Sequence, residues 1–313
     1  ANEGISVPGG HMAGSVAVAA HNNGEALTQL TKVSTQRVDL VKLMITGGVL
    51  DAAEKGTPGE LKMPPEMVKA VCNQAHAMGY TVAAHTESPE GVKVALENGV
   101  DSIEHGAKMD EETVKLYKEH GAFLCTTISP ALPYALFDTA VSGASEKDQY
   151  NGRIVFDGIV ESAKTALANG IPVGLGNDVG CPYITQYDFW RELCYFHKYC
   201  GVSNQFALYT ATLRNARLAG VGGVTGSLEV GKKADLIVMD AREPHLQPMY
   251  DLDIRSTLVW NATGNEVETV IIDGKTIVDG KRVLTVDETA ATQEATAICH
   301  KYLARQLGAQ NQL

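Results

Sequence analysis

The sequence predicts an α/β protein, a (β/α)8 barrel of the TIM type followed by a small C-terminal β-sandwich domain. Two observations predict the barrel. Apolar, strand-like runs alternate with amphipathic helical stretches over the first two thirds of the chain, and several runs end in a side chain that can bind a metal ion. A third observation predicts the small domain, because short alternating segments surround Gly-Lys pairs after about residue 222, as antiparallel strands do.

Each barrel strand is predicted from an apolar run, and each helix from apolar residues every three or four positions. In EGVKVALENG, Val92, Ala95 and Leu96 recur at helical spacing and Gly99 ends the helix. The same reasoning gives strands at 38–46, 80–85, 100–105, 122–127 and 171–177, and helices at 21–36, 64–78, 88–98, 110–120, 151–169, 185–200 and 202–219. We therefore predict a barrel over residues 1–221, a β-sandwich domain over 222–287 and a helix over 288–313 that packs on the barrel.

Charge and composition narrow the classes of function. The 313-residue chain has 44% hydrophobic residues and a formal net charge of -11, so it can form a globular core but offers no basic surface to nucleic acid or an anionic membrane. No apolar run reaches the roughly 18 residues that cross a bilayer, and the six cysteines form no CxxC pair. These features predict a cytoplasmic protein that binds a small molecule, and they leave a homo-oligomer open.

Three segments place a side chain that can bind a metal at or just beyond the end of a predicted strand. His85 lies in VAAHTES, His105 in SIEHGAK and Asp178 in VGLGNDVG. Because the parallel strands of a barrel all end at one mouth, we expect these side chains to converge there. Two histidines and a carboxylate form a ligand set for zinc or a similar divalent ion with one position open. A single histidine at a strand end is, by contrast, more often a hydrogen-bonded core residue.

Lys42 lies in a fourth apolar run, DLVKLMITGG. One interpretation is a solvated lysine at the end of a strand. A lysine buried between Val41 and Leu43 would instead be favoured without its charge, because burial disfavours the ammonium form. A neutral amine can add carbon dioxide to become a carbamate, which is an oxygen ligand able to bridge two cations.

These segments resemble the amidohydrolase superfamily, in its prolidase-like and carboxypeptidase-like branch of metal-dependent hydrolases with a carboxylated lysine. VKLMITGGVLD is similar to the lysine strand of that branch, AAHTES and IEHGA to its two histidine strands, and GLGNDVG to its final-strand aspartate motif. The resemblance continues through ATLRNARLAG and GSLEVGKKADLIVMD, which is similar to the junction between barrel and small domain. It covers nearly the whole chain, and the order of the motifs is more specific than any one of them.

The resemblance implies a divalent metal site with one or two ions, zinc being expected. Lys42 as a carbamate, His85 and His105 would hold one ion, and Asp178 would touch the other. The implied reaction cleaves an amide or peptide bond, in a Xaa-Pro dipeptide or an N-acyl amino acid, by a metal-activated hydroxide. Asp178 would accept the proton on attack and return it to the leaving amine.

Two further residues are candidates for contact with the substrate. The resemblance implies that His11, in VPGGHMAG, reaches the substrate carbonyl, and the alternative is an ordinary loop histidine. Tyr134, in ISPALPYALFD, is a candidate hydrogen-bond donor to a substrate carbonyl or carboxylate, and the alternative is an aromatic residue that packs in a loop. The remaining histidines are predicted to be surface or packing residues; they are His21, His76, His120, His197, His245 and His300.

The sequence departs from the family towards its N-terminus. Family members carry an HxH motif on the first barrel strand, and no HxH occurs in these 313 residues. We expect the first two strands, part of the third and the N-terminal part of the small domain to belong to a segment outside this sequence. Lys42 and Asp178 alone would then hold a second ion, so the predicted function is that of the complete protein.

Three alternatives to an amide hydrolase stay open. PHLQPMYD indicates a deaminase of the same superfamily acting on a nucleobase-like or aminated ring, although such enzymes generally use one metal ion and need no bridging lysine. An inactive fragment, or a subunit that completes its site with another chain, would follow from the absent HxH motif. A barrel of other chemistry, such as an aldolase with Lys42 as a Schiff base, would leave both histidines and Asp178 unexplained.

Overall fold

A computed structural model describes residues 3–248 and 254–310 of the chain, which divide into two compact units. The first unit ends at Gly226 and the second begins at Ser227. Among the described residues, no helix combines the length and the apolarity that a lipid bilayer demands of a spanning segment.

Seven parallel strands form the sheet of the first unit, in the order β2-β1-β3-β4-β5-β6-β7. From β3 onward, strands that follow each other in sequence are also neighbours in the sheet, as in a (β/α)8 barrel. The described residues therefore form the larger part of such a barrel, which confirms the predicted fold class. The strands are β1 (Gly4–Ser6), β2 (Ala17–Ala19), β3 (Leu40–Met44), β4 (Thr81–Thr86), β5 (Ser102–His105), β6 (Phe123–Thr126) and β7 (Val173–Leu175).

Helices connect most successive strands. At the N-termini of many of these helices, a polar side chain accepts a hydrogen bond from a backbone N–H group. Before the third helix, for example, the Ser88 hydroxyl accepts a hydrogen bond from the backbone N–H of Gly91 at 3.1 Å, and Pro89 occupies the first turn. The helices are α1 (Asn23–Ser34), α2 (Pro65–Ala77), α3 (Pro89–Glu97), α4 (Glu111–His120), α5 (Ile128–Leu136), α6 (Thr139–Ser142), α7 (Glu146–Ala168), α8 (Phe189–Cys200), α9 (Asn204–Tyr209) and α10 (Asn215–Leu218). A π-helical segment, Thr210–Arg214, joins α9 to α10 within the stretch predicted as one helix.

The two faces of the sheet carry different residues. Leu43 and Ile103 are fully buried in the core between the sheet and the helices. Side chains alternate along a strand, so Lys42 lies on the opposite face, where its cross-strand partner is Ala83, two residues before His85. Lys42 is half-buried there. Lys42 is thus neither fully solvated nor buried between Val41 and Leu43, because alternation turns those two neighbours towards the core.

Two parts of the barrel differ from the prediction. β1 and β2, of three residues each, were not predicted. No element was predicted between the strand at 122–127 and the helix at 151–169, but α5, α6 and the start of α7 lie there. α5 contains two prolines, Pro130 and Pro133. Its N-terminus is held by Glu192 of α8, which accepts hydrogen bonds from the backbone N–H groups of Ile128 at 2.6 Å and Ser129 at 2.9 Å.

The second unit contains a four-stranded antiparallel sheet in the order β11-β10-β9-β8. Asp273 and Gly274, both with positive φ, form the tight turn between β9 and β10. The described residues contain one sheet here, whereas a sandwich has two. The elements are β8 (Leu236–Met239), α11 (Ile254–Asn261), β9 (Val267–Ile272), β10 (Lys275–Asp279), β11 (Arg282–Val283) and α12 (Glu288–Gln310).

Parts of two predicted segments lie outside the described residues. These are Met249, Tyr250 and Asp251 of PHLQPMYD, and residues 311–313 of the predicted C-terminal helix. The packing of that helix on the barrel stays a prediction.

Candidate metal centre and active site

Neighbouring strands bring His85 and His105 together. His85 lies near the end of β4, where it pairs with Glu104, and His105 is the last residue of β5. Both side chains are buried, and their ring centroids are 4.6 Å apart at an interplanar angle of 72°. His105 has a φ of 69°, an uncommon conformation for a residue other than glycine. The end of β5 is therefore locally strained where it presents its imidazole.

One nitrogen of each imidazole is engaged by an oxygen atom of the protein. Nε2 of His85 lies 3.3 Å from the carbonyl oxygen of Gly47, and Nδ1 of His105 lies 2.6 Å from the Thr127 hydroxyl. A carbonyl oxygen only accepts, so His85 donates through Nε2 and its Nδ1 carries the lone pair. Metal-ligating histidines commonly donate their second ring nitrogen in this way, which fixes the ring and its tautomer.

Burial keeps both imidazoles neutral. It lowers the pKa of His85 well below its usual value, and the positive charges of neighbouring side chains add to this effect. Burial also lowers the pKa of His105 to about 4, although the negative charge of Asp178 partly opposes it. The neutral form is the one that binds a metal ion.

Glu87 completes a three-residue cluster that the sequence analysis missed. The ligand atoms of His85, Glu87 and His105 all lie within 4.8 Å of one another. The Oε2 atom of Glu87 is buried without a hydrogen-bond partner, and burial, followed by the charges of Asp178 and Asp51, raises the pKa of Glu87 to about 8. A buried oxygen without a partner, beside two neutral imidazoles, fits the donor set of a divalent cation. The signal in the sequence was its i, i+2 spacing from His85.

Lys42 lies on β3 and Asp178 follows β7, so the two flank β4 and β5, which carry the histidines, in the sheet. The positive charge of Lys42 contributes to lowering the pKa of both His85 and His105, where burial is the main cause. Lys42 also lines a cavity of about 790 Å³ together with Glu104. Asp178 follows β7, is exposed, and accepts a hydrogen bond from the Cys181 thiol at 3.2 Å. Lys42 thus lies within electrostatic reach of both histidines and Asp178 within reach of His105, and Asp178 is outside the three-residue cluster.

His11 packs directly on the cluster. Its ring stacks on that of His85 with centroids 4.0 Å apart and planes within 2°. Its Nδ1 lies 2.5 Å from Oδ2 of Asp51, which also accepts the backbone N–H of Gly48 at 2.8 Å. The hydrogen bond from His11 is the main reason that the pKa of Asp51 is lowered. Asp51 was not predicted, because only the fold brings it within reach of a histidine 40 residues away.

Gly48 lies where these groups meet. A Cβ atom at this position would be 3.2 Å from Cε1 of His11 and 3.3 Å from Oε2 of Glu87. Such contacts are tighter than most real Cβ atoms make, so glycine allows His11 and Glu87 to approach the same point.

Tyr134 lies on α5 instead of in a loop, and it is half-buried. Burial raises its pKa, with a smaller electrostatic contribution from nearby Cys181. Since Cys181 donates to Asp178, Tyr134 lies on the Asp178 side of the mouth.

Known structures with this architecture include peptidases. A prolidase candidate from Bifidobacterium longum is 34% identical with a TM-score of 0.73, covering 94% of this chain and 69% of that chain. A Xaa-Pro dipeptidase with methionine bound in its active site is 28% identical with a TM-score of 0.69, covering 87% of this chain and 66% of that chain.

Curated relatives are named as deaminases. The chain is 38% identical over 148 residues to 5'-deoxyadenosine deaminase of Methanosarcina acetivorans, covering 44% of this chain and 33% of that relative. It is 30% identical over 229 residues to 5-methylthioadenosine/S-adenosylhomocysteine deaminase of Desulforudis audaxviator, covering 68% of this chain and 52% of that relative. The chain therefore spans between a third and about half of these curated relatives.

One family description covers the barrel and most of the second unit. The sequence model of the amidohydrolase family matches residues 2–277. The chain therefore belongs to the amidohydrolase family, whose members are metal-dependent hydrolases acting on C–N bonds.

Proposed function

We propose that this chain supplies part of the active site of an amidohydrolase that cleaves an amide or peptide bond, in a Xaa-Pro dipeptide or an N-acyl amino acid. The observation that carries the proposal is the convergence of His85, Glu87 and His105 beneath the stacked ring of His11. The 34% identity to the prolidase candidate over 94% of the chain supports the choice of substrate class. The activity belongs to the complete protein, including any part outside this sequence.

The buried cluster has the chemistry of a metal site. His85, Glu87 and His105 would hold one divalent ion, and zinc matches two imidazoles and a carboxylate. Lys42, as a carbamate, would add an oxygen ligand from β3 and allow a second ion. When bound, such an ion lowers the pKa of a water molecule and polarises a carbonyl group.

The residues around the cluster would bind the substrate and move protons. Asp178 is exposed at the mouth, so its carboxylate can take a proton from the attacking water and return it to the leaving amine. His11 lies on the cluster and can bind a polar group next to the scissile bond. Tyr134, on the Asp178 side, can donate a hydrogen bond to a carbonyl or carboxylate of the substrate.

A deaminase is the second candidate function. The observation in its favour is the 38% identity to 5'-deoxyadenosine deaminase, which is higher than the identity to either peptidase structure but covers less of the chain. Deamination also breaks a C–N bond by adding water, so the same side chains would serve. The complete protein should be assayed with the dipeptide Ala-Pro and with 5'-deoxyadenosine. Proline release supports the first proposal, and ammonia release supports the second.

Metal content tests the cluster independently of the substrate. His85→Ala, His105→Ala and Glu87→Gln should each lose most of the bound zinc after dialysis, as measured by elemental analysis. His120→Ala, at the exposed end of α4, is the control and should keep the wild-type content. Wild-type zinc in all three cluster variants would contradict the metal site.

A further inference from the structure

We propose that Tyr183 is a positioning residue: it attaches the loop that follows β7 to α5 and α6, and in this way fixes where Asp178 lies at the mouth of the barrel. Residues 176–188, which join β7 to α8, are called the Asp178 loop. The proposal deepens the proposed function and rests on it for the part that Asp178 has in turnover. The attachment itself is a property of the chain.

Two contacts join Tyr183 to the helices that follow β6. Its hydroxyl donates a hydrogen bond to the backbone carbonyl of Val141 in α6. Its ring packs edge-to-face on that of Phe137, directly after α5, with centroids 5.6 Å apart and an interplanar angle of 72°. Aromatic pairs favour this arrangement. Since Tyr183 is 49% exposed, directed contacts hold its side chain in place of burial in a core.

The segment that receives Tyr183 is itself held against the long helix α7. The backbone carbonyl of Phe137 accepts a hydrogen bond from the Gln149 amide at 3.1 Å. The two helices α5 and α7 also approach closely, because a Cβ atom on Gly152 of α7 would lie 2.5 Å from Cβ of Tyr134 in α5. This segment is therefore a fixed partner for the loop.

The backbone at Tyr183 also indicates that contacts from outside hold the loop. Tyr183 has a φ of 69°, in the left-handed region that aromatic residues rarely adopt. Such a conformation persists where the surrounding structure over-determines it, and residues of this kind cluster at functional sites. The hydroxyl and ring contacts of Tyr183 supply a constraint from beyond the loop.

Hydrogen bonds inside the loop connect Tyr183 to Asp178. The N–H of Ile184, the next residue, donates to the carbonyl of Cys181 at 3.0 Å, and the N–H of Cys181 donates to the carbonyl of Asp178 at 3.4 Å. The Cys181 thiol also donates to the Asp178 carboxylate. Residues 178–184 are thus linked as one unit, so holding Tyr183 in place restrains the Asp178 side chain.

Hydrogen–deuterium exchange, measured by mass spectrometry, tests the attachment without any substrate. Tyr183→Phe removes the hydroxyl and keeps the ring, so amides of residues 179–188 should exchange about fivefold faster than in the wild type. Tyr183→Ala removes both contacts and should have the larger effect. The matched control is Tyr187→Phe, in the same loop at a residue that is 80% exposed, and it should exchange like the wild type. Wild-type exchange in Tyr183→Ala would overturn the proposal.

Kinetics of the complete protein test the consequence for Asp178. With Ala-Pro or 5'-deoxyadenosine, whichever is cleaved, Tyr183→Ala should lower kcat about 10–100-fold and leave KM within about twofold, because a displaced catalytic group slows turnover more than binding. Tyr183→Phe should lose less, and Tyr187→Phe should keep the wild-type kcat. In an Asp178→Asn background, Tyr183→Ala should lower kcat by less than about twofold. Wild-type kcat in Tyr183→Ala, or multiplicative losses in the double variant, would refute the role.

Metal content and exchange separate this inference from the proposed function. Tyr183→Ala should keep the wild-type zinc content, because Tyr183 lies outside the three-residue cluster, and a loss of zinc would contradict an effect through the loop. If the wild type releases neither proline nor ammonia, the proposed function is wrong, while the exchange of Tyr183→Ala still decides the attachment. If the wild type is active and Tyr183→Ala exchanges at the wild-type rate, the inference alone fails.

Discussion

His85 and His105 come from the ends of two paired strands, whereas Asp178 and Tyr134 come from the loop after β7 and from α5. On the strand side, both imidazoles are buried and each has one nitrogen engaged by the protein. On the loop side, Asp178 is exposed and accepts a side-chain hydrogen bond from Cys181 in the same loop. A continuous backbone ladder thus fixes the groups suited to holding an ion, and a loop carries the group suited to exchanging protons with solvent and substrate.

This difference explains why the strand-end histidines and the loop residue Asp178 should respond differently to mutation. Strand-end residues are positioned by the register of β4 and β5, so removing one side chain removes a ligand without moving the others. Asp178, with a φ of 50°, depends on a short turn. We therefore expect binding of metal and turnover of substrate to be separable.

The largest effect is expected from Asp178→Asn. The amide cannot take up a proton from water, so kcat of the complete protein should fall by about 10²–10⁴-fold. The zinc held by the strand side should stay, because Asp178 lies outside the three-residue cluster. Elemental analysis and steady-state kinetics on the same preparation check both halves. Loss of all zinc from this variant would erase the distinction between the two sides.

Glu192 holds the N-terminus of α5 on the loop side, and its contribution to the free energy of unfolding should depend on pH. Burial raises the pKa of Glu192 from an ordinary 4.5 to about 7, so the folded protein binds its proton more tightly than the unfolded chain. This contribution to stability is full below pH 4.5 and is lost as pH rises through about 7. Relative to Glu192→Gln, the wild type should lose up to about 3 kcal/mol of unfolding free energy across that window. Urea denaturation of both proteins at several pH values measures the difference, and parallel curves would contradict it.

A smaller effect is expected from a neighbouring pair of threonines. Thr127→Val removes the hydroxyl that engages Nδ1 of His105, so zinc affinity should fall by about 10–100-fold. Thr126→Val is the matched control, because the Thr126 hydroxyl is buried without a hydrogen-bond partner. Competition with a chelator measures both affinities. Equal affinities for the two variants would show that the Thr127 contact does not orient the ring.

The sequence predicted most of the scaffold of the barrel. The five predicted strands coincide with β3 to β7, because an apolar run bounded by glycine and polar residues reflects local geometry that neighbouring residues share. The end of a strand also has a local signature, so the sequence alone placed His85 and His105 at strand ends. β1, β2 and the helix α5 were not predicted from the sequence.

Contacts between distant segments could be seen only in the fold. Asp51 reaches His11 across 40 residues, and Glu192 caps α5 from 63 and 64 residues away. A hydrogen bond of this kind leaves no periodic trace in the sequence, since either partner alone looks like an ordinary polar residue. The amino-acid order by itself determined which side chains end the strands and therefore what can bind a cation. Tertiary structure decided which carboxylates join them, because only folding sets the distances between groups that the chain holds far apart.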